Sequence, residues 1–273
     1  MNLLNIDAKF VSEVLQRFLK EEVTKTGFEK VIFGLSGGVD SSVIAYLCSL
    51  TFPPKDITAL IMPYRTSNPK NMEHAEQVAK NLNINYEICD ISPMVDEFFK
   101  KDSDADIIRR GNRMARERMC YLYDYSSKQK SLVIGTSNKT ELLLGYGTIF
   151  GDLASAINPI GDLYKSQIWE LAEHLGIPAE IIKKPPSADL WVGQTDEEEI
   201  GYTYKQIDEL LHYMIDHRHS NDMLLDQGFS KEMIINIQKM IQNSQFKRRL
   251  PIIAKLSNRT INQDFRYYRD WGV

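Results

Sequence analysis

Apolar positions along the chain follow two periods. Val11, Val14, Leu15, Phe18 and Leu19 recur at helical spacing, so residues 7–26 are predicted to form an amphipathic helix that buries that stripe. KVIFGL at 30–35 is a β-branched and aromatic run bounded by turn residues and predicts a buried strand; ITALIMP (57–63), INYEIC (84–89) and SLVIGT (131–136) predict three more. Helical patterns fill the intervals: from about Ser41 through Cys48, at 68–82, in a helix-rich insert at 91–127, and again at 163–175, 203–218 and 229–243. The stretch 176–201 carries three prolines and no clear period, which predicts a long binding loop or lid. Strands alternating with helices imply an α/β fold, a doubly wound and mostly parallel sheet with Rossmann-type layering, a helical insert and a helical C-terminal region. No linker or internal repeat divides the chain, so residues 1–273 are expected to form a single domain.

Composition narrows the function class. The 33 basic and 37 acidic side chains leave a net charge of -4, which argues against a nucleic-acid or anionic-membrane surface. No secretory leader is evident, and no apolar run approaches the roughly 20 residues needed to cross a bilayer. Cys48, Cys89 and Cys120 are isolated in apolar surroundings and form no CxxC pair, so buried thiols in a reducing cytoplasm are expected rather than a metal or redox site.

The strongest local chemistry is GLSGGVDSS at 34–42, between a predicted strand and a predicted helix. Gly37 and Gly38 let main-chain N–H groups turn toward a ligand, Ser36, Ser41 and Ser42 add hydroxyls, and the helix start adds its dipole: an anion cradle suited to phosphate. Neither GxxxxGK[ST] nor GxGxxG is present. Asp40 would repel phosphate unless a cation lies between them, so it implies Mg²⁺.

Further along, Arg113, Arg116 and Arg118 stand in GNRMARERM, with Arg113 and Arg116 spaced to share a helix face. GTSNKTELLLGYGTIFGD (135–152) starts at the carboxyl end of the fourth strand, where open α/β sheets bind ligands; Thr136 can bond a nucleotide there, and Glu141 can complete a carboxylate pair with Asp40 for Mg²⁺. Lys165 opens a helix against its dipole, a misfit that fits either a phosphate contact or simple exposure to solvent. Thr195 with Glu198 reads as a capping box, and Lys247 stands among cations in FKRRLP. His212, His217 and His219 are spaced i, i+5, i+7, which reads as helix surface rather than metal ligation. No GxSxG elbow supports a hydrolase triad.

SGGxDS resembles the signature of the N-type ATP pyrophosphatases, which cleave ATP between its α and β phosphates. Together with GNxxARxRM, TxxKTE…GYGTxxGD, PSADL…DExExGxTY and FKRxxP, it resembles the ammonia-using bacterial NAD synthetases over roughly residues 30–251. That resemblance implies a ligase forming a carbon–nitrogen bond: ATP-dependent amidation of nicotinic acid adenine dinucleotide (deamido-NAD) to NAD through an acyl adenylate, with ammonia as nitrogen source and release of AMP and pyrophosphate. It places ATP on Ser36, Gly37, Gly38, Val39, Asp40, Ser41, Ser42, Thr136, Lys165 and Ser187. Mg²⁺ falls on Asp40 and Glu141; the dinucleotide falls on Arg116, Asp152, Asp189 and Lys247; Asp40, Glu141 and Lys165 form the catalytic set. Ile149, Ala156 and Phe246 depart from the pattern of some relatives at dinucleotide contacts. The chain has no room before the loop for a glutaminase, so free ammonia is expected. The resemblance also implies a cytoplasmic homodimer. The runner-up within the same chemistry is a GMP-synthetase-like amidase subunit.

Overall fold

The computed structural model describes residues 3–261 apart from 103, 188, 192 and 250. Helix α1 (Ala8–Lys25) leads into strand β1 (Lys30–Gly34), α2 (Val39–Thr51), β2 (Ile57–Ile61), α3 (Pro69–Asn81) and β3 (Asn85–Ile88). The insert is α4 (Ser92–Phe99) and α5 (Ile107–Gln129), followed by β4 (Ser131–Val133) and α6 (Lys139–Leu144). Helices α7 (Lys165–His174), α8 (Ala179–Ile182), α9 (Asp196–Ile200), α10 (Tyr204–Leu211), α11 (Asn221–Asp226) and α12 (Lys231–Asn243) complete the described part. None of the described helices is long and apolar enough to cross a membrane.

The four strands are parallel in the order β3-β2-β1-β4, as expected for a doubly wound sheet. The chain winds outward from β1 through β2 to β3, then returns by way of α4 and α5 to lay β4 on the other side of β1. The sense of winding therefore reverses between β1 and β4, the switch point at which open α/β sheets form a ligand-binding crevice between the loops that follow the two strands. Beyond β4, a parallel bridge from Ile134 to Ile157 adds a short edge.

Strand residues alternate between two cores because successive side chains point to opposite faces. Val31, Phe33 and Leu35 pack against α1, α2, α3 and α7, while Ile32, Leu60 and Val133 face α4 and α5. Each fully buried aliphatic or aromatic side chain of this kind contributes about 1.5–3 kcal/mol relative to exposure. A third cluster, centred on Ile207, Leu210, Leu211 and Ile237, holds the C-terminal helices to α6.

Several elements differ from the pattern-based reading. On α1, Leu19 and Val23 are buried but Val14 and Phe18 face outward, because α2 and α7 cover only part of the stripe. The irregular stretch 176–201 contains two short helices, α8 and α9. The helix expected at 203–218 ends at Leu211 and continues as one π-turn over His212–Asp216. Cys48 and Cys89 are buried, but Cys120 is exposed.

Candidate active site

The loop after β1 is shaped by what cannot fit. Gly37 has φ +76, and a Cβ on it would lie 2.0 Å from the Asn71 carbonyl oxygen, so only glycine is accommodated. Gly38 is the N-cap of α2 with no side-chain capping bond, which leaves the helix start facing the crevice. Ser36 and Ser41 hold the turn through their hydroxyls at 3.1 Å; the Ser36 Oγ accepts from Gly38 N at 3.2 Å, and the Ser42 Oγ donates to Gly38 O at 2.8 Å. Asp40 and Ser41 lie inside the first turn rather than at its cap.

Opposite this turn, Asn138 caps α6 through a reciprocal box with Glu141: Glu141 N donates to Asn138 Oδ1 at 2.9 Å, and Asn138 N donates to Glu141 Oε2 at 3.2 Å. The Asn138 Nδ2 then donates to Asp40 Oδ1 at 2.9 Å, joining the loops after β1 and β4 across the crevice. Lys165, the first residue of α7, is only 3% exposed; its Nζ lies 2.5 Å from Asp40 Oδ2 and 3.8 Å from Glu141 Oε1. Burial alone would lower the ammonium's pKa, but the two carboxylates outweigh it and raise it. Burial, reinforced by the Asp40 charge, pushes the Glu141 carboxyl well above the usual range. Tyr204 closes the floor, its ring 5.3 Å from Lys165 Nζ and its hydroxyl donating to Asp196 Oδ2 at 3.1 Å.

Asp40, Glu141, Lys165 and the serine loop thus converge. Thr136 is half-buried in the loop that runs from β4 to α6. Ser187 and Asp189 lie over the loop's outer side: Asp189 accepts from Asn71 Nδ2 at 2.8 Å and from Asn68 N at 3.1 Å, and Ser187 Oγ accepts from Asp189 N at 3.1 Å. Arg116, Asp152 and Lys247 form a second group. Arg116 is exposed and donates to Ile149 O at 3.2 Å, Asp152 accepts from Thr148 N at 2.9 Å, and Lys247 Nζ reaches the Gly145 and Gly147 carbonyls, both at 2.8 Å. Arg113 does not join Arg116; it pairs with Glu117 at 2.5 Å and lies over the Phe98 ring. Arg118 donates to Met62 O at 3.0 Å.

Three supporting residues escape sequence reasoning. Lys184 bridges the Gly37 carbonyl and Asn71 Oδ1, both at 2.7 Å. Asp208 is fully buried and accepts from Thr140 Oγ1 at 2.5 Å, Ser166 N at 2.8 Å and Ser166 Oγ at 2.6 Å, tying together the first turns of α6 and α7. Asp196 accepts from Tyr146 and Tyr204; the capping box expected at Thr195 does not form, and Glu197 accepts from Tyr204 N instead. A lysine beside glycines, or an aspartate inside an amphipathic helix, carries no local signal of such contacts.

The donor set suits a hard divalent cation. Asp40 and Glu141 supply carboxylate oxygens beside serine hydroxyls and a phosphate-shaped turn, and the Lys165 ammonium already marks the spot between them as one that takes positive charge. Among the described residues no group of three or more His, Cys, Asp or Glu side chains is arranged as a metal cage.

The NAD synthase family pattern matches residues 11–251. The chain is 53% identical over 272 residues to an NH(3)-dependent NAD(+) synthetase of Trichlorobacter lovleyi, covering 100% of each. Its fold superposes with a TM-score of 0.79 on the NH3-dependent NAD synthetase of Campylobacter jejuni, at 39% identity over 92% of this chain and 100% of the other. It superposes with a TM-score of 0.82 on the NMN synthetase of Francisella tularensis, at 35% identity over 92% of this chain and 99% of that one.

Proposed function

The chain belongs to the NAD synthase family, and on that premise we propose that it amidates deamido-NAD to NAD with ATP and ammonia, releasing AMP and pyrophosphate. The observation that carries the reading is the cradle itself: a serine–glycine turn at the sheet's switch point, with two carboxylates gathered around a buried lysine. A GMP-synthetase-like role is not favoured by the relatives.

The chemistry asks for these groups. A carboxylate is a poor electrophile because oxide is a poor leaving group. Its attack on the ATP α-phosphorus forms the acyl adenylate as the bond to the β-phosphate oxygen breaks and pyrophosphate departs. Ammonia then adds to the adenylate carbonyl, the tetrahedral adduct collapses, AMP leaves, and a proton is lost from nitrogen. The enzyme's task is to align reactants and to balance charge on the departing pyrophosphate. The turn of Ser36, Gly37, Gly38, Val39, Ser41 and Ser42 binds the phosphates through main-chain N–H groups and hydroxyls. Lys165 stands on the far side of that charge, within reach once a ligand competes for its ammonium. Asp40 and Glu141 would hold Mg²⁺, which supplies neutralisation of phosphate oxygens. Thr136 and Ser187 flank the nucleotide. Arg116, Asp152, Asp189 and Lys247 receive the dinucleotide.

The exposed apolar side chains Phe98, Ile107, Ile108 and Tyr123 on α4 and α5 support pairing with a second copy. A cytoplasmic setting fits the two buried free thiols. Incubation with ATP, Mg²⁺, ammonium and deamido-NAD is expected to yield AMP and NAD in equal amounts. Turnover only of the mononucleotide carboxylate, nicotinic acid mononucleotide, would refute the assignment in favour of the reaction named for the Francisella relative.

A further inference from the structure

Away from the crevice, the single π-turn at His212–Asp216 changes which residues meet. On a regular helix, positions five apart point about 140° away from each other. Here His217 N donates to His212 O, closing an i to i+5 ring at 3.1 Å, and the two imidazoles meet with their planes at 90° and Nε2···Nε2 at 3.0 Å. Such π-turns are rare and concentrate at functional sites. The next residue, Arg218, has φ +55, an uncommon conformation for a long side chain, and it returns His219 to stack on Tyr213 beside the pair.

The protonation pattern follows from the partners. His212 Nδ1 lies 3.0 Å from Asp216 Oδ2, so it carries the proton and donates. In the neutral imidazole, His212 Nε2 then presents a lone pair, which His217 Nε2 faces at 3.0 Å. Asp216 is itself fixed, accepting from Tyr164 OH at 3.0 Å and pairing with Lys139 at 3.0 Å. A lone pair on Nε2, with Nδ1–H bonded to an anchored carboxylate, is the arrangement in which histidine binds metal. Two nitrogen–zinc bonds of 2.0–2.1 Å at the tetrahedral angle put the nitrogens about 3.3 Å apart, so a few tenths of an ångström of opening, a turn of the rings that brings both lone pairs onto one point, and a tautomer change at His217 would seat an ion.

We propose that His212 and His217 form a binding site for a divalent transition-metal ion of the Zn²⁺, Ni²⁺ or Cu²⁺ class, with Asp216 as the outer carboxylate that orients His212. Imidazole selects these ions over Mg²⁺, which separates the site chemically from the oxygen-lined crevice. Two protein ligands leave the remaining positions to water. Lys139 and Tyr164 connect Asp216 to the starts of α6 and α7, so an ion here braces the helices that carry Glu141 and Lys165.

Calorimetric titration of untagged, full-length protein with Ni²⁺, in millimolar Mg²⁺ to fill the crevice, tests this. One ion per chain is expected. His212→Ala and His217→Ala should each weaken binding at least about tenfold, and Asp216→Asn about tenfold, within the range seen for outer-shell partners. His74→Ala and His174→Ala should leave it unchanged. With Cu²⁺, electron paramagnetic resonance should show coupling to two nitrogens that falls to one in either single variant. His212→Gln and His217→Gln, with thermal melts matching the parent, guard against simple unfolding. Absence of Ni²⁺ binding, or binding that survives both His212 and His217 replacements, overturns the proposal.

Discussion

The two halves of the candidate site are built differently. Around Asp40 the charges face one another: Lys165 is buried against Asp40 and Glu141, and Asn138 braces the carboxylate from the next loop. Around Arg116 and Lys247 the cations face backbone carbonyls and solvent, and their acidic neighbour Asp152 is exposed. In the first half the side chains are held by one another before ligand arrives, one ammonium facing two carboxylates. In the second, the cations are met by main-chain carbonyls and not by carboxylates. On the proposed reading, preorganised contacts serve the charge that builds up during reaction, and the more open contacts serve the entry of a large substrate.

The sharpest way to break this contrast is Asp40→Asn. Turnover measured as AMP release should fall by about two to three orders of magnitude, as for loss of one preorganised charge-stabilising group, while the circular dichroism spectrum stays that of the parent. Lys165→Met should reduce turnover nearly as much and also destabilise the fold by about 3–5 kcal/mol, because two carboxylates lose their counter-charge. Urea unfolding with and without Mg²⁺ should show the deficit shrinking when the ion is present; an equal deficit in both would deny that lysine and metal serve the same carboxylates. Asp208→Ala, which unties α6 from α7, should lower kcat and stability together, and Asp208→Asn, which keeps the acceptor for Ser166, should restore most of both. Gly37→Ala should raise KM for ATP, since its Cβ collides with the Asn71 carbonyl. The smallest effect belongs to the open half: Lys247→Gln should raise KM for deamido-NAD with kcat and KM for ATP little changed.

The closed half was also the more legible in sequence. Its loop is one contiguous run whose glycines, serines and aspartate each need the others, and the strand–turn–helix setting follows from periodicity alone. Lys165 was legible as a cation at the wrong end of a helix, although its burial was not. Asp208, Lys184 and Asp196 were invisible because their partners are brought in by tertiary packing: Thr140 is 68 residues from Asp208, and Gly37 is 147 from Lys184. His212 and His217 meet through a turn that closes five residues apart, a contact that a 3.6-residue period does not anticipate. On α1 the periodicity located the helix but not the portion of its stripe that α2 and α7 cover.

Arg248 carries a different kind of consequence. Its guanidinium donates to the Leu142 and Leu143 carbonyls at the end of α6 and to Ile241 O and Ser244 Oγ at the end of α12. The short helix bearing Glu141 is therefore finished by a residue made about a hundred positions later. During synthesis, the turn around Gly37 is therefore made long before the cation that finishes the helix bearing the second carboxylate.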